Sequence, residues 1–308
     1  MGHSHHHHHH GHDHEHDDQH IHGISSNLKI AFFLNLTFTV IEFIGGAITN
    51  SMAILSDAVH DLGDTFAIGS ALFLERYSEK GRSKKFTFGY KRFSPLAALI
   101  NSVILLAGSI IIIYETIPRL LQPEAVDAQG MLYLAILGVL MNGAAVFRLK
   151  KGKSSLNQRA VMLHLLEDVL GWTAVLVGSV VMLFTDLPVI DPILSLGIAA
   201  FILWNTVRNL KSVLSVFLQA TPENVDIEEV NRELEKIPEV ISVHDTHVWS
   251  MDGNYHILTT HLVLKENKSL HEIAAIRAAA TGVLKKNHIE HATIQCEYEG
   301  EVCELKEH

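Results

Sequence analysis

His60 and His164 are the only histidines between Gly23 and Leu210, and each is followed four residues later by an aspartate, Asp64 and Asp168. Residues four apart share one face of a helix, so each pair presents an imidazole nitrogen and a carboxylate oxygen in the same direction. Two such helices face to face would offer two nitrogen and two oxygen donors, a set that a tetrahedral divalent ion such as Zn²⁺ accepts. Both pairs lie inside long apolar runs. An ionisable side chain there costs roughly 2.5–3.5 kcal/mol on insertion scales, so its presence asks for a function. A single polar residue in such a run is commonly hydrogen-bonding glue between helices. The duplicated spacing favours metal binding over that reading.

The elements that must position these pairs are membrane helices. Six apolar stretches, near 28–48, 52–74, 93–115, 129–149, 160–184 and 188–210, reach the ~20 residues that a bilayer crossing requires. The connection between the second and third carries Arg76, Lys80, Arg82, Lys84, Lys85, Lys91 and Arg92, and the one between the fourth and fifth is also basic. Such loops belong in the cytoplasm. The turn at Thr49-Asn50-Ser51 and the segment from Thr185 to Asp191 have no Lys or Arg, and the third-to-fourth connection has only Arg119. These face outward, which puts both termini in the cytoplasm.

Charge within the runs is concentrated. Asp57 and Asp61 join His60 and Asp64 in the second run, Glu167 accompanies His164 and Asp168 in the fifth, and Glu42 lies in the first. Glu42 reads equally as a cavity-lining acid or a polar contact near a helix end. Asp191-Pro192 reads as a helix cap followed by its first residue.

After about residue 211 the long apolar runs give way to short alternating elements. The pattern predicts a helix over 226–237, strands over 240–250 and 255–264 around an Asp252-Gly253-Asn254 turn, a helix over 270–286 and a strand over 292–298. This α-β-β-α-β domain contains His244, His261, His271 and Glu297 on separate elements that a fold can gather. Lone surface histidines are frequent in soluble domains. The metal reading is favoured for His244, His261 and Glu297, whereas His271, His247 and the two cysteines, Cys296 and Cys303, are even at best. Cys296 adjoins Glu297 and points to the opposite sheet face if the strand alternates regularly.

Composition agrees with a membrane domain carrying a polar appendage. The chain of 308 residues is 48% hydrophobic with a formal net charge of −10 and a mean hydropathy of +0.21. That balance, without a basic stripe, argues against nucleic acid as a partner. Two cysteines make no disulfide framework and suit a reducing compartment. No cleavable signal peptide is visible, because the first apolar run follows a polar tail and is long enough to span. Residues 1–22 hold twelve of the 22 histidines, with acids interspersed. A run from His5 to His10 is also what a purification tag looks like. The Gly-His-Asp-His-Glu-His continuation favours a native, disordered tail that collects metal weakly. The division expected is thus a tail over 1–22, a transport domain over 23–211 and a cytoplasmic domain over 212–308.

The segments Ser56-Asp57-Ala58-Val59-His60-Asp61-Leu62-Gly63-Asp64, His164-Leu165-Leu166-Glu167-Asp168 and His244-Asp245-Thr246-His247-Val248-Trp249, set in a six-span plan, resemble the cation diffusion facilitator family. Within it the chain is most similar to the zinc-transporting branch, from Leu28 to Glu297. The resemblance implies a six-helix membrane protein with a C-terminal α+β, ferredoxin-like cytoplasmic domain, working as a homodimer that exports metal in exchange for protons. It implies transport by His60, Asp64, His164 and Asp168, and regulatory zinc at the positions of His244, His261, His271 and Glu297. Zn²⁺ is then substrate and regulator, no catalytic cofactor is called for, and the setting is the bilayer of a bacterial inner membrane.

Two features depart from the family pattern. Another branch uses an Asp-x-x-x-Asp pair in the second span, and Asp57 with Asp61 has that spacing, overlapping His60 and Asp64. The histidine pair is preferred because imidazole suits Zn, Co and Cd and is seldom needed for Mg, Ca or Mn. The loop between the second and third spans lacks the histidines with which some relatives hold an accessory metal, so none is expected there. Rival classes fit less well. A passive channel calls for rings of charge along a pore. A membrane metalloenzyme calls for an open metal position and a base, for which Glu167 is a candidate, yet no His-Glu-x-x-His motif is present.

Overall fold

The computed structural model describes residues 15–78, 82–150, 156–185, 187–265 and 268–301. Six long helices come first: α1 (Glu15–Thr49), α2 (Met52–Ser78), α3 (Phe93–Leu121), α4 (Ala128–Lys150), α5 (Leu156–Thr185) and α6 (Ile190–Phe217). They coincide with the six apolar runs. Among the described residues, four are long and apolar enough to cross a bilayer: Lys29–Thr49 of α1, α3, Leu165–Thr185 of α5, and α6. α2 falls short because Asp57, Asp61 and Asp64 interrupt its apolar surface, and Ala128–Ala144 of α4 is a shorter apolar stretch among the described residues. The chain is therefore a helical membrane protein, with four clear spans among the described residues and a small C-terminal α/β domain. Helical backbone already begins at Glu15, so residues 15–22 differ from the irregular tail expected. Glu15, Asp17 and Asp18 are residue types that suit the positive end of a helix dipole, and no Gly or Pro interrupts before Gly23. Residues 1–14, with most of the tail histidines, lie outside the described residues.

The chain divides into two compact units, Met1–Glu75 with Gly108–Phe201, and Arg76–Ala107 with Ile202–His308. In the first, Phe38 of α1, Ile54 of α2, Met131 of α4, and Trp172 and Val175 of α5 form a buried core. Trp172 lies so close over Gly138 that a β-carbon there would stand 2.2 Å from the indole ring. Only glycine lets α4 and α5 approach in this way. The outward faces are apolar, with Leu121 at 83% and Phe184 at 85% exposure, as lipid contact requires.

Asp191 does not cap its own helix, as the Asp-Pro pair suggests. It sits in the first turn of α6, is fully buried, and caps α2 instead. Its carboxylate accepts hydrogen bonds from the Ser51 hydroxyl at 2.6 Å and from the backbone N–H groups of Met52 at 2.8 Å and Ala53 at 3.2 Å. The first N–H groups of a helix have no partner within it, and an anion there also meets the positive end of the helix dipole. The preceding residue, Asn50, turns the chain with φ +55°. Its carbonyl and side-chain oxygens accept from Arg119 at 3.1 and 2.9 Å.

In the second unit, α7 (Ile227–Glu235), β1 (Val240–Ser250), β2 (His256–Leu264), α8 (Leu270–Lys286) and β3 (Ile289–Tyr298) follow in the α-β-β-α-β order expected. The sheet order is β1-β2-β3, with β1 antiparallel and β3 parallel to β2. Val230 and Leu234 of α7 and Ile276, Ala280 and Leu284 of α8 pack with Leu258 and Leu262 of β2 in one core, so both helices cover the same sheet face. Capping follows from sequence: Asp226 accepts from the N–H groups of Glu228 and Glu229, and Ser269 with Glu272 forms a capping box. The connection from α2 to α3 belongs to this unit. Lys91 meets Asp252 at 3.6 Å and lies 4.5 Å over the Tyr255 ring, and Phe88 stands edge-on to His291.

Candidate metal centre

In the membrane helices, His60 Nε2 lies 3.9 Å from Asp64 Oδ2 and 3.7 Å from Asp168 Oδ1. Donor atoms of the three fall within 4.8 Å of one another. Bonds of ~2.0 Å at the tetrahedral angle set donors about 3.3 Å apart, so the cluster is slightly wider than a filled site. Asp168 is buried, while His60 and Asp64 are half-buried, which suits a site that one side of a membrane can reach. The α5 backbone carries His164 one turn before Asp168; its side chain lies outside the described residues. Glu167 is exposed and is not among the clustered donors.

A second cluster joins Glu42 of α1 to Asp57 and Asp61 of α2, again with donor oxygens within 4.8 Å of one another. All three are buried, Glu42 completely. Sequence reading left Glu42 undecided. The signal that could have resolved it is the polar stripe Asn35, Thr39 and Glu42, spaced as one face of α1 and matched by Asp57, Asp61 and Thr65 on α2.

The C-terminal domain gathers His244, His261 and Glu297. His244 and His261 face each other across β1 and β2, with ring centroids 5.2 Å apart. Glu297 reaches both, Oε1 at 2.8 Å from His261 Nδ1 and Oε2 at 3.2 Å from His244 Nε2. His261 and Glu297 are buried. The sheet face they occupy is the one the helices leave uncovered. His271 is therefore not brought to the cluster: it is exposed in the first turn of α8, and α8 packs on the other face through Ile276, Ala280 and Leu284. Asp245 is an acid that sequence reading missed. A bulge between His244 and His247, with Asp245 at φ +51°, turns its carboxylate toward His247 at 2.9 Å and His261 at 3.6 Å. Cys296 packs against the helix-covered core, on the face opposite Glu297, and burial raises its thiol pKa. Cys303 lies outside the described residues.

Helices α2 and α5 thus converge on nitrogen and oxygen donors suited to a divalent ion, and the C-terminal domain carries another such cluster. Comparison with known proteins agrees. The cation efflux transmembrane domain matches residues 28–218 and the cation efflux protein cytoplasmic domain matches residues 222–299. The chain belongs to the cation efflux, or cation diffusion facilitator, family. It is 34% identical to a cadmium, cobalt and zinc/H(+)-K(+) antiporter of Bacillus subtilis, covering 91% of this chain and 92% of that protein. It is 36% identical to the metal cation efflux system protein CzcD of Cupriavidus metallidurans, over 90% and 88% of the two chains. Identity to the zinc transporter ZitB of Escherichia coli is 34%, over 91% and 90%. These relatives are transporters rather than enzymes.

Proposed function

We propose that this protein exports Zn²⁺ from the cytoplasm in exchange for protons by alternating access, with His60, Asp64, His164 and Asp168 as the transport ligands. The observation that carries this reading is the convergence of His60 and Asp64 from α2 with Asp168 from α5 in a chain of a metal-efflux family. Metal binds imidazole and carboxylate only when they are deprotonated, so metal and protons compete for the same atoms. Imidazole, with an unperturbed pKa near 6.5, exchanges protons in the physiological range. A site open to the cytoplasm takes Zn²⁺ and sheds protons; open to the outside, it takes protons and releases the ion. Co²⁺ and Cd²⁺ accept the same donors and are further substrates in this reading.

In the same reading six helices span the membrane, α2 and α4 included, with both termini on the basic, cytoplasmic side. Bacterial relatives support a bacterial inner membrane. The C-terminal domain, of ferredoxin-like type, joins two copies into a homodimer and binds regulatory zinc through His244, His261 and Glu297. The test is Zn²⁺ uptake into proteoliposomes with a pH-sensitive dye inside. Zn²⁺ entering should drive protons out, and Asp64→Ala and Asp168→Ala should each abolish both fluxes while the protein still inserts. Normal Zn²⁺ flux in either variant overturns the ligand assignment, and Zn²⁺ flux without proton counter-flow overturns the exchange.

A further inference from the structure

We propose that Asn50, Arg119 and Glu124 form a latch that, resting on the alternating access proposed above, holds the Asn50 end of the helix bundle closed and must open before the metal ligands can face that side. Each of the three residues touches the other two. Arg119, in the last turn of α3, donates from Nη1 to the Asn50 carbonyl at 3.1 Å and to Asn50 Oδ1 at 2.9 Å, and its Nη2 meets Glu124 Oε2 at 3.2 Å. Asn50 donates from Nδ2 to the same Glu124 oxygen at 3.1 Å and to the Ala125 carbonyl at 3.0 Å. Beside them the Asp127 N–H donates to the Thr49 carbonyl at 3.0 Å. The turn between α1 and α2 is thus tied to the connection between α3 and α4. Arg119 is also the single Lys or Arg that the sequence places at this end of its six apolar runs.

Exposure along α2 shows which end is shut. Residues 51–59 are buried except for half-buried Leu55, whereas the side chains of His60 and Asp64 keep 23% and 25% of their surface exposed. Exposure therefore begins at the metal ligands, and the half of α2 between them and Asn50 is packed. A protein that alternates must unpack that half. Of the polar contacts that fix it, the latch is the one that opens at low cost. Asp191 is fully buried, and parting it from Ser51 and Met52 would strand a carboxylate away from water. Glu124 is 55% exposed and Arg119 19%, so both charges pass to water when they separate. The net free energy of such an exposed pair is small, enough to bias an equilibrium and little enough to be overcome in every cycle.

The experiment puts a reporter in the packed half of α2. Ser56 is buried, and its hydroxyl donates to the Ser195 carbonyl at 3.3 Å. In the full-length protein carrying Ser56→Cys, Cys296→Ser and Cys303→Ser, held in lipid nanodiscs, the rate of thiol modification by a charged methanethiosulfonate reads opening at the Asn50 end. It needs neither transport, nor a particular metal, nor a known orientation, so a failure of the zinc–proton exchange reading leaves this readout intact. Arg119→Gln and Glu124→Gln should each raise the rate about three- to tenfold, because losing contacts made in the closed form alone shifts the equilibrium by their free energy. Calorimetric Zn²⁺ binding should stay within about twofold of the parent, since the closed form keeps its ligands. Asp127→Ala is the control. That carboxylate accepts from the N–H groups of Gln129 and Gly130 at the start of α4, beside the latch, and its loss should leave the rate unchanged. If neither latch variant speeds modification, the latch does not exist. If Asp127→Ala speeds it as much, the effect is local loosening and the proposal is refuted. If Zn²⁺ binding falls as modification rises, the substitution has unpacked the metal site and the proposal is equally overturned.

Discussion

Replacing Asp191 by Ala should destabilise the membrane helices more than any surface change, because this one carboxylate holds the start of α2. It accepts three hydrogen bonds, at 2.6, 2.8 and 3.2 Å, from groups with almost no solvent exposure. Hydrogen bonds to a charged group contribute about 1.5–3 kcal/mol each, a gross loss of up to ~9 kcal/mol. Against this, alanine removes the several kcal/mol that a buried carboxylate costs in desolvation. Ser51 Oγ retains a partner in the N–H of Ile54, from which it accepts at 3.2 Å. The net loss should be about 3 kcal/mol, in line with removal of one partner from a buried charged network. At about 2–4 °C per kcal/mol for a domain of this size, Tm should fall by roughly 6–12 °C. Thermal unfolding of the purified protein in detergent, followed by tryptophan fluorescence, reads this. Asp191→Asn keeps one acceptor and should lose about half as much. Unfolding of Asp191→Ala within about 2 °C of the parent would refute the capping account.

Gly138→Ala forces a methyl group into the Trp172 ring and should cost about 1–3 kcal/mol through overpacking. Near-parental unfolding of that variant would mean that α4 and α5 separate freely. His60→Asp replaces a nitrogen donor by oxygen and should shift transport toward harder cations; an unchanged ratio of Zn²⁺ to Cd²⁺ flux points to Asp57 and Asp61 as the ligands on α2. Deleting residues 2–22 should slow transport at low Zn²⁺ and spare the maximal rate, since clustered weak sites raise local concentration without joining the alternating step. Coincident rate curves across a buffered Zn²⁺ series would make the tail inert.

Much of the architecture was legible because lipid and water impose periodicities that sequence must obey. All six long helices lie where apolar runs of bilayer length lie, and β1 and α8 have the ends that alternation and capping residues announce. The alignment of His60 with Asp64 was legible for a local reason: four-residue spacing needs only a helix to align donors. What escaped depends on contacts across elements. Asp191 reads as the cap of α6 until α6 lies beside the start of α2, since a carboxylate cannot disclose which helix end it will meet. His271 is even as a ligand on sequence until the side of the sheet taken by α8 is known, and Asp245 needs a bulge that alternation conceals.

Glu42 illustrates the same limit from the other direction. Along α1 it is one acid in an apolar run, and its energetic demand becomes visible only when Asp57 and Asp61 are seen to face it. Placing three carboxyls together in a low-dielectric interior is unfavourable unless something positive neutralises them. α2 carries two adjacent strips of polar groups, one completed by α5 and one by α1. A helix so loaded with acids gives up apolarity, which is why it falls outside the clear spans, and it needs an anchor at its start. Asp191 supplies that anchor, so the cap, the acids and the site chemistry are consequences of one helix carrying the functional residues.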